Sequence, residues 1–233
     1  MQRPDWYIDE LAHAGDEHLA PAYVATYDRK AATDPTEDVA LLRNLGMDES
    51  SVLLDLGAGT GTLALAAAPF CRRVVAVDMS PAMLAVIRGQ VERLGLSNVE
   101  AVQGGFLGYE HEGDPADFVY SRNALHHLPD FWKGIAFARI AAVLRPGGVL
   151  FLRDLVYSFD PTEAGGAIEA WLAGAAARPE VGWTRDELAE HVRGEYSTFN
   201  WLLEPLLERS GFTIREAQQR PSGTYAAYIC VKR

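Results

Sequence analysis

The chain has 233 residues, 48% hydrophobic and 23% charged, as in an ordinary globular protein, and this length suits a single α/β domain. Its formal net charge of −11 argues against nucleic acid as the main partner, because an acidic surface repels phosphate backbones. The sequence shows no signal peptide and no run apolar enough to span a bilayer, so we expect a cytoplasmic protein with no membrane partner.

An N-terminal arm and a helix, residues 1–46, precede the first predicted strand. The helix is expected to start at Asp34, which can cap it, because Pro35 suits the first helical position and Glu37 completes a capping box. Gly46 ends this helix. The arm before it scatters aromatic side chains among charges, which is typical of a lid or a loosely packed extension.

Strands and helices alternate through residues 47–157, the predicted core of the domain. Near-continuous apolar runs indicate strands buried on both faces, and helical spacing marks the segments between them. This alternation predicts a Rossmann-like, mostly parallel sheet with helices on both faces. The predicted strands are residues 52–56, 74–77, 98–102, 116–120 and 149–156.

Residues 158–210 break this alternation and predict a helical insertion before the last two strands. We expect the insertion to lie over the carboxyl edge of the sheet, where ligands bind in open α/β folds. One of its helices should begin at a capping box that Thr184 and Glu187 form. Two alternating runs in residues 211–233 predict a closing hairpin that adds an antiparallel strand to the sheet.

The strongest chemical signal is the glycine-rich turn in VLLDLGAGTG, which runs from Val52 to Gly61. Such a turn between a strand and a helix lets the backbone approach a ligand without Cβ clashes. Thr62 stands where the dinucleotide fingerprint needs its last glycine, which counts against an NAD-dependent oxidoreductase. Asp55 beside the turn suits a ligand with positive charge, such as an ammonium or a sulfonium group.

Asp78 ends the second predicted strand, at about the twenty-residue spacing from the glycine turn that is expected of a ribose-binding acid. Its two carboxylate oxygens can accept hydrogen bonds from both ribose hydroxyls. A lone acid at a strand end is usually a solvated cap. Together with the glycine turn, Asp78 favours a ribose contact.

Four motifs stand in order between Val52 and Asp154: VLLDLGAGTG, VVAVDMSPAML, FVYSRNALHHLPD and VLRPGGVLFLRDL. In these motifs the chain resembles the class I S-adenosylmethionine-dependent methyltransferases, especially small-molecule enzymes that methylate quinone precursors. The resemblance implies S-adenosyl-L-methionine as the cofactor. It also implies methyl transfer to a small-molecule acceptor by in-line displacement.

The resemblance further implies specific cofactor contacts. Asp55 and the turn are expected to hold the methionine part, Asp78 the ribose, and Met79 to pack beside the adenine. Backbone atoms of Ser121 and Arg122 are expected near the methionine end. The turn residues concerned are Gly57, Ala58, Gly59, Thr60 and Gly61.

The chain departs from the family pattern at Gly105, where the family has an aspartate that binds the adenine amine. Backbone of Gly105 or Phe106 is expected to serve instead. This departure leaves a non-catalytic scaffold or regulator as an alternative. An RNA or protein methyltransferase conflicts with the acidic charge and with the stretch after the fourth strand, which lacks an Asn-Pro-Pro-Tyr type signature.

Catalysis needs a general base if the acceptor must lose a proton, and His127 is the candidate because of its position after the fourth strand and its ordinary pKa. His127 and His126 have an alternative role, which is to pack the loop before Pro129. The residues expected to line an acceptor pocket are Tyr27, His126, Asp154 and Tyr196, with Glu195 and Trp201 beside them in the insertion.

No metal is predicted from the spacing of the potential ligands. His191 lies near Glu195, but the two do not form a recognised ligand motif. The two cysteines, Cys71 and Cys230, are far apart in apolar surroundings, and we expect buried free thiols.

Overall fold

A computed structural model describes residues 4–13, 24, 27 and 34–233; the rest of the predicted arm lies outside the described residues. The helices are α1 (Thr36–Asn44), α2 (Thr62–Ala67), α3 (Pro81–Leu94), α4 (Asp130–Val143), α5 (Ala164–Ala173), α6 (Arg185–Gly194) and α7 (Asn200–Arg209). The strands are β1 (Val52–Leu56), β2 (Arg73–Asp78), β3 (Val99–Gln103), β4 (Ala116–Arg122), β5 (Leu144–Asp154), β6 (Val156–Tyr157), β7 (Thr198–Phe199), β8 (Phe212–Gln219) and β9 (Ala226–Lys232).

Seven strands form one sheet in the order β3-β2-β1-β4-β5-β9-β8. The pairs from β3 through β5 are parallel, and β9 runs antiparallel to both of its neighbours, as the sequence predicted. From β1 the chain adds β2 and then β3 on one side. It then crosses over and places β4 on the other side of β1. The order therefore reverses between β1 and β4, and a crevice opens beyond their carboxyl ends.

Two apolar clusters cover the two faces of this sheet, because alternate strand residues point to opposite sides. Leu54 and Leu56 of β1 pack with α4 and α7, whereas Leu53 packs with α1, α2 and α3. Cys71 and Cys230 are buried free thiols, as predicted. Among the described residues, no helix is both long and apolar enough to cross a membrane.

The predicted strand over residues 149–156 is divided in the structure. The N–H of Leu155 donates to the side chain of Asp154 at 2.7 Å, which takes it out of the strand ladder. Consequently β5 ends at Asp154, and after Leu155 the residues Val156–Tyr157 form β6, which pairs with β7 in a small separate sheet.

The insertion contains α5, α6 and α7. The capping box of Thr184 and Glu187 is present at the start of α6, as predicted. The box predicted for α1 does not form, because Pro35 takes the cap position and the third helical residue, Asp38, turns inward to accept a hydrogen bond from Tyr120.

Candidate active site

The glycine turn lies at the carboxyl end of β1, where the backbone N–H groups of Gly57 and Ala58 both donate to the carbonyl of Val77. Gly57, Gly59 and Gly61 have φ angles of +73°, +56° and +82°, a conformation that L side chains rarely adopt. A Cβ at Gly57 would lie 2.3 Å from the Cβ of Ala124, in the loop that follows β4. The turn therefore requires glycine both for its conformation and for its close approach to that loop.

Asp78 joins this turn to the start of α3. One carboxylate oxygen accepts from the N–H of Gly59 at 2.7 Å and the other from the N–H of Ser80 at 2.8 Å. Burial raises the pKa of Asp78, and these two backbone donors partly offset it. Each oxygen keeps lone pairs for a ligand, because a carboxylate accepts about four hydrogen bonds in total.

Asp55 lies beneath the turn and is 2% exposed. Burial and the nearby charge of Asp78 raise its pKa to about 7, although the N–H of Ala64 favours the ionised form. Two carboxylates thus lie close together in a buried place. A cationic ligand would stabilise both of them in the ionised form.

A cavity opens above Asp78. Six residues that the sequence assigned to the cofactor line it: Gly57, Gly59, Asp78, Met79, Gly105 and Phe106. The other assigned positions do not line it: Asp55, Ala58, Thr60, Gly61, Ser121 and Arg122. Ser121 is fully buried, and Asn123 and Ala124 face the cavity instead.

Glu10 of the N-terminal arm also lines this cavity, and the sequence analysis missed it. The side chain is 6% exposed, and one oxygen accepts from the N–H of Leu107 at 3.0 Å. A Cβ at Gly105 would lie 2.4 Å from that same oxygen, so the missing side chain leaves the space that Glu10 fills. The arm is held nearby by Trp6 and Tyr7, whose rings pack on Trp132 of α4.

Asn123 is a second residue that the sequence analysis did not single out. Among the described residues it is the one non-glycine with a positive φ, +52°. Asparagine tolerates this conformation better than most residues. Its N–H donates to the carbonyl of Arg153, and this bond turns the chain after β4 toward the cavity.

A larger cavity lies beside the first, and residues of α5 and α6 line it. Three residues line both cavities, namely Tyr27, Asn123 and His127. Arg122 and His126 line the larger one alone. The two spaces therefore meet at a junction that His127 and Tyr27 flank.

His126 is buried in the wall of the larger cavity between two carboxylates. Its Nδ1 lies 2.5 Å from Oδ1 of Asp154, and its Nε2 lies 3.1 Å from Oε2 of Glu195. Burial lowers the pKa of His126, but the two carboxylates outweigh it and raise the value to about 9. Burial by itself would raise the pKa of Glu195, but the contacts with His126 and His191 outweigh burial and hold that pKa far below its usual range.

Two residues expected in the acceptor pocket lie elsewhere. Asp154 is buried behind His126, and its oxygens accept from the backbone of Leu125, His126 and Leu155, so it does not face either cavity. Tyr196 is also absent from both linings, because its ring points outward and contacts His13.

Known proteins are similar to this chain in sequence and in fold. A methyltransferase domain model matches residues 53–148. An uncharacterized methyltransferase of Geobacillus sp. (strain WCH70) is 31% identical over 77% of this chain and 78% of its own length.

Two solved structures show the same fold at low identity. The [4+2]-cyclase SpnF has a TM-score of 0.63 at 17% identity, covering 84% of this chain and 80% of its own. Magnesium protoporphyrin IX methyltransferase from Synechocystis PCC 6803, with bound SAH, has a TM-score of 0.60 at 17% identity, covering 85% and 82%. Together with the ordered motifs and the strand order, these matches show that the chain belongs to the class I S-adenosylmethionine-dependent methyltransferase family.

Proposed function

We propose that this protein transfers the methyl group of S-adenosyl-L-methionine to a small-molecule acceptor. The observation that carries this proposal is the meeting of two cavities at Tyr27, Asn123 and His127. The smaller cavity adjoins the glycine turn and Asp78, and would hold the cofactor. The larger one would hold the acceptor, with the junction as the place of transfer.

The backbone and the charges around the smaller cavity support its assignment to the cofactor. Gly57 and Gly59 present backbone to the cavity, and Asp55 and Asp78 would supply negative charge near a sulfonium or an ammonium group. Asp78 would accept hydrogen bonds from the ribose hydroxyls. At the other end, Glu10 would take the adenine amine, in place of the aspartate that the family has at position 105.

When bound, the cofactor supplies an electrophilic methyl carbon, to which the acceptor forms a bond as the carbon–sulfur bond breaks and a thioether leaves. The protein's part is to align the two partners and exclude water, which in favourable cases is worth about 7–11 kcal/mol. His127 at the junction would take the proton from an acceptor that must lose one, adding roughly 10²–10⁴-fold to the rate.

A small acceptor suits the larger cavity better than a polymer does. The insertion contributes Trp171 and Trp183 to the lining of that cavity, and aromatic side chains are common in small-molecule sites. The net charge of −11 also disfavours a nucleic-acid acceptor.

Calorimetric titration tests this proposal. We expect S-adenosylmethionine and S-adenosylhomocysteine to bind while NAD does not, and Asp78→Asn to weaken both by roughly 10–100-fold through lost charge-assisted hydrogen bonds. Asp114→Asn is the matched control, since Asp114 is exposed and pairs with Arg72. Absence of binding to the wild-type chain would contradict the proposal. The chain is then incubated with S-adenosylmethionine and a pool of small molecules. An enzyme would release S-adenosylhomocysteine, whereas a scaffold would not.

The Glu10 assignment predicts a change in base preference. The wild-type chain should prefer S-adenosylhomocysteine over its inosine analogue, which carries a carbonyl where adenine has its amine. Glu10→Gln should reduce that preference by about tenfold or more, because an amide can donate to the carbonyl. Glu216→Gln, on the exposed part of β8, is the control. An unchanged preference in Glu10→Gln would show that another group reads the base.

A further inference from the structure

A cluster of potential metal ligands lies on the wall of the larger cavity. One ligand atom each from His126, His127 and Glu195 lies within 4.8 Å of the other two. The histidines belong to the 3-10 turn after β4, and Glu195 follows α6 in the insertion. Folding brings these residues together, which is why their spacing along the sequence does not reveal the cluster.

The histidine in the middle of this cluster is oriented by a second carboxylate. Asp154 Oδ1 lies 2.5 Å from His126 Nδ1, which leaves Nε2 directed at Glu195. Asp154 is itself fixed, because the N–H groups of Leu125 and Leu155 donate to it at 2.8 and 2.7 Å. Metal-binding histidines almost always have such a partner on the far ring nitrogen.

Glu195 is oriented in a similar way from the other side. His191 Nδ1 contacts the same oxygen, Oε2, that faces His126, and His191 Nε2 lies 2.8 Å from Ser197 Oγ. The N–H of Tyr196 donates to the carbonyl of His126 at 2.8 Å, which ties the insertion to the histidine turn. Two members of the cluster, His126 and Glu195, are thus oriented by their surroundings before any ligand binds.

We propose that His126, His127 and Glu195 bind a divalent transition-metal ion at the wall of the acceptor cavity. Two imidazole nitrogens and one carboxylate oxygen suit Zn²⁺, Co²⁺, Mn²⁺ or Fe²⁺, whereas Mg²⁺ and Ca²⁺ prefer oxygen ligands alone. Three protein ligands leave coordination positions open, and the cavity is the space beside them.

An ion at this place would also select the acceptor. An acceptor with a hydroxyl or thiol could occupy an open position, and the ion would lower the pKa of that group. With the ion bound, this effect would replace proton removal by His127, whose ring nitrogen would coordinate the ion. This consequence rests on the proposed methyl transfer. Cation binding itself does not depend on it.

Titration of the full chain with metal ions after EDTA treatment tests the proposal. Zn²⁺ is followed by calorimetry, and Co²⁺ by the visible absorption that nitrogen ligands in a low-coordinate site produce. We expect one ion per chain, with Glu195→Gln and His127→Gln each weakening its binding at least tenfold. The matched controls are Glu190→Gln, an exposed carboxylate on α6, the helix that Glu195 follows, and His111→Gln, outside the cluster.

Equal affinity in the wild-type chain and in Glu195→Gln, or no visible Co²⁺ bands in the wild-type chain, would overturn the proposal and leave an ion-pair cluster. Folding of each variant is checked by circular dichroism and thermal unfolding. Binding of S-adenosylhomocysteine is a separate measurement on the wild-type chain. That binding is measured in EDTA, so a failure of the metal site and a failure of the proposed cofactor site give different results.

Discussion

Gly57→Ala is expected to destabilise the protein by about 2–5 kcal/mol. The new Cβ would lie 2.3 Å from the Cβ of Ala124, and overpacking of this kind costs about 1–3 kcal/mol. The φ of +73° adds roughly 1–2 kcal/mol for a residue with a side chain. Thermal unfolding measures the effect, as a drop in Tm of roughly 2–4 °C per kcal/mol.

Two further variants separate the contact from the backbone conformation. Gly95→Ala has a similar φ, +64°, with nothing within 4 Å of its Cβ, and should show the conformational cost alone. Ala124→Gly added to Gly57→Ala should recover the overpacking part, a favourable coupling of at least about 1 kcal/mol. A Gly57→Ala variant no less stable than Gly95→Ala would contradict this account of the turn.

Asp55→Asn is expected to stabilise the protein without ligand while weakening its binding of S-adenosylmethionine. Burial and Asp78 raise the pKa of Asp55 from 3.8 to about 7, so the ionised side chain destabilises the folded state. The protonated form carries no such cost. The cost therefore appears as the pH rises from about 4 and is complete above about 7, where it reaches up to about 4 kcal/mol.

The measurement is the difference in Tm between Asp55→Asn and the wild-type chain, taken across this pH range. The difference should be small near pH 4 and largest above pH 7, with Asp114→Asn unchanged throughout. The amide oxygen can still accept from Ala64, so the loss of charge is the main change. A difference in Tm that does not grow with pH would mean that ionisation of Asp55 does not destabilise the folded state.

Much of the fold could be predicted because local rules determine it. The apolar run ending at Asp78 gives β2, and Ser80 with Pro81 gives the start of α3, where Ser80 accepts from the N–H of Met83. Gly95 then ends that helix in the left-handed conformation. Each of these signals lies within a few residues of the structure that it specifies.

The walls of the candidate site were harder to predict, because they depend on contacts between distant segments. Glu10 bonds to Leu107, 97 positions away, and nothing near Glu10 marks it as a site residue. The one local signal is Gly105, because the side chain that it lacks leaves a space that another group must fill. Similarly, Asp154 stands at a strand end as predicted, but only the fold shows that it faces His126.

The matched methyltransferase segment, residues 53–148, contains the glycine turn, Asp78, His126 and His127, yet it does not supply all the walls of the two cavities. One wall of the smaller cavity comes from Glu10 and Tyr27, ahead of that segment, and most of the larger cavity comes from residues after it. On the proposed function, most cofactor contacts therefore lie in or before the matched segment, and most acceptor contacts lie after it. Exchange of α5 and α6 between relatives would then change the acceptor while Glu10, the glycine turn and Asp78 stayed in place.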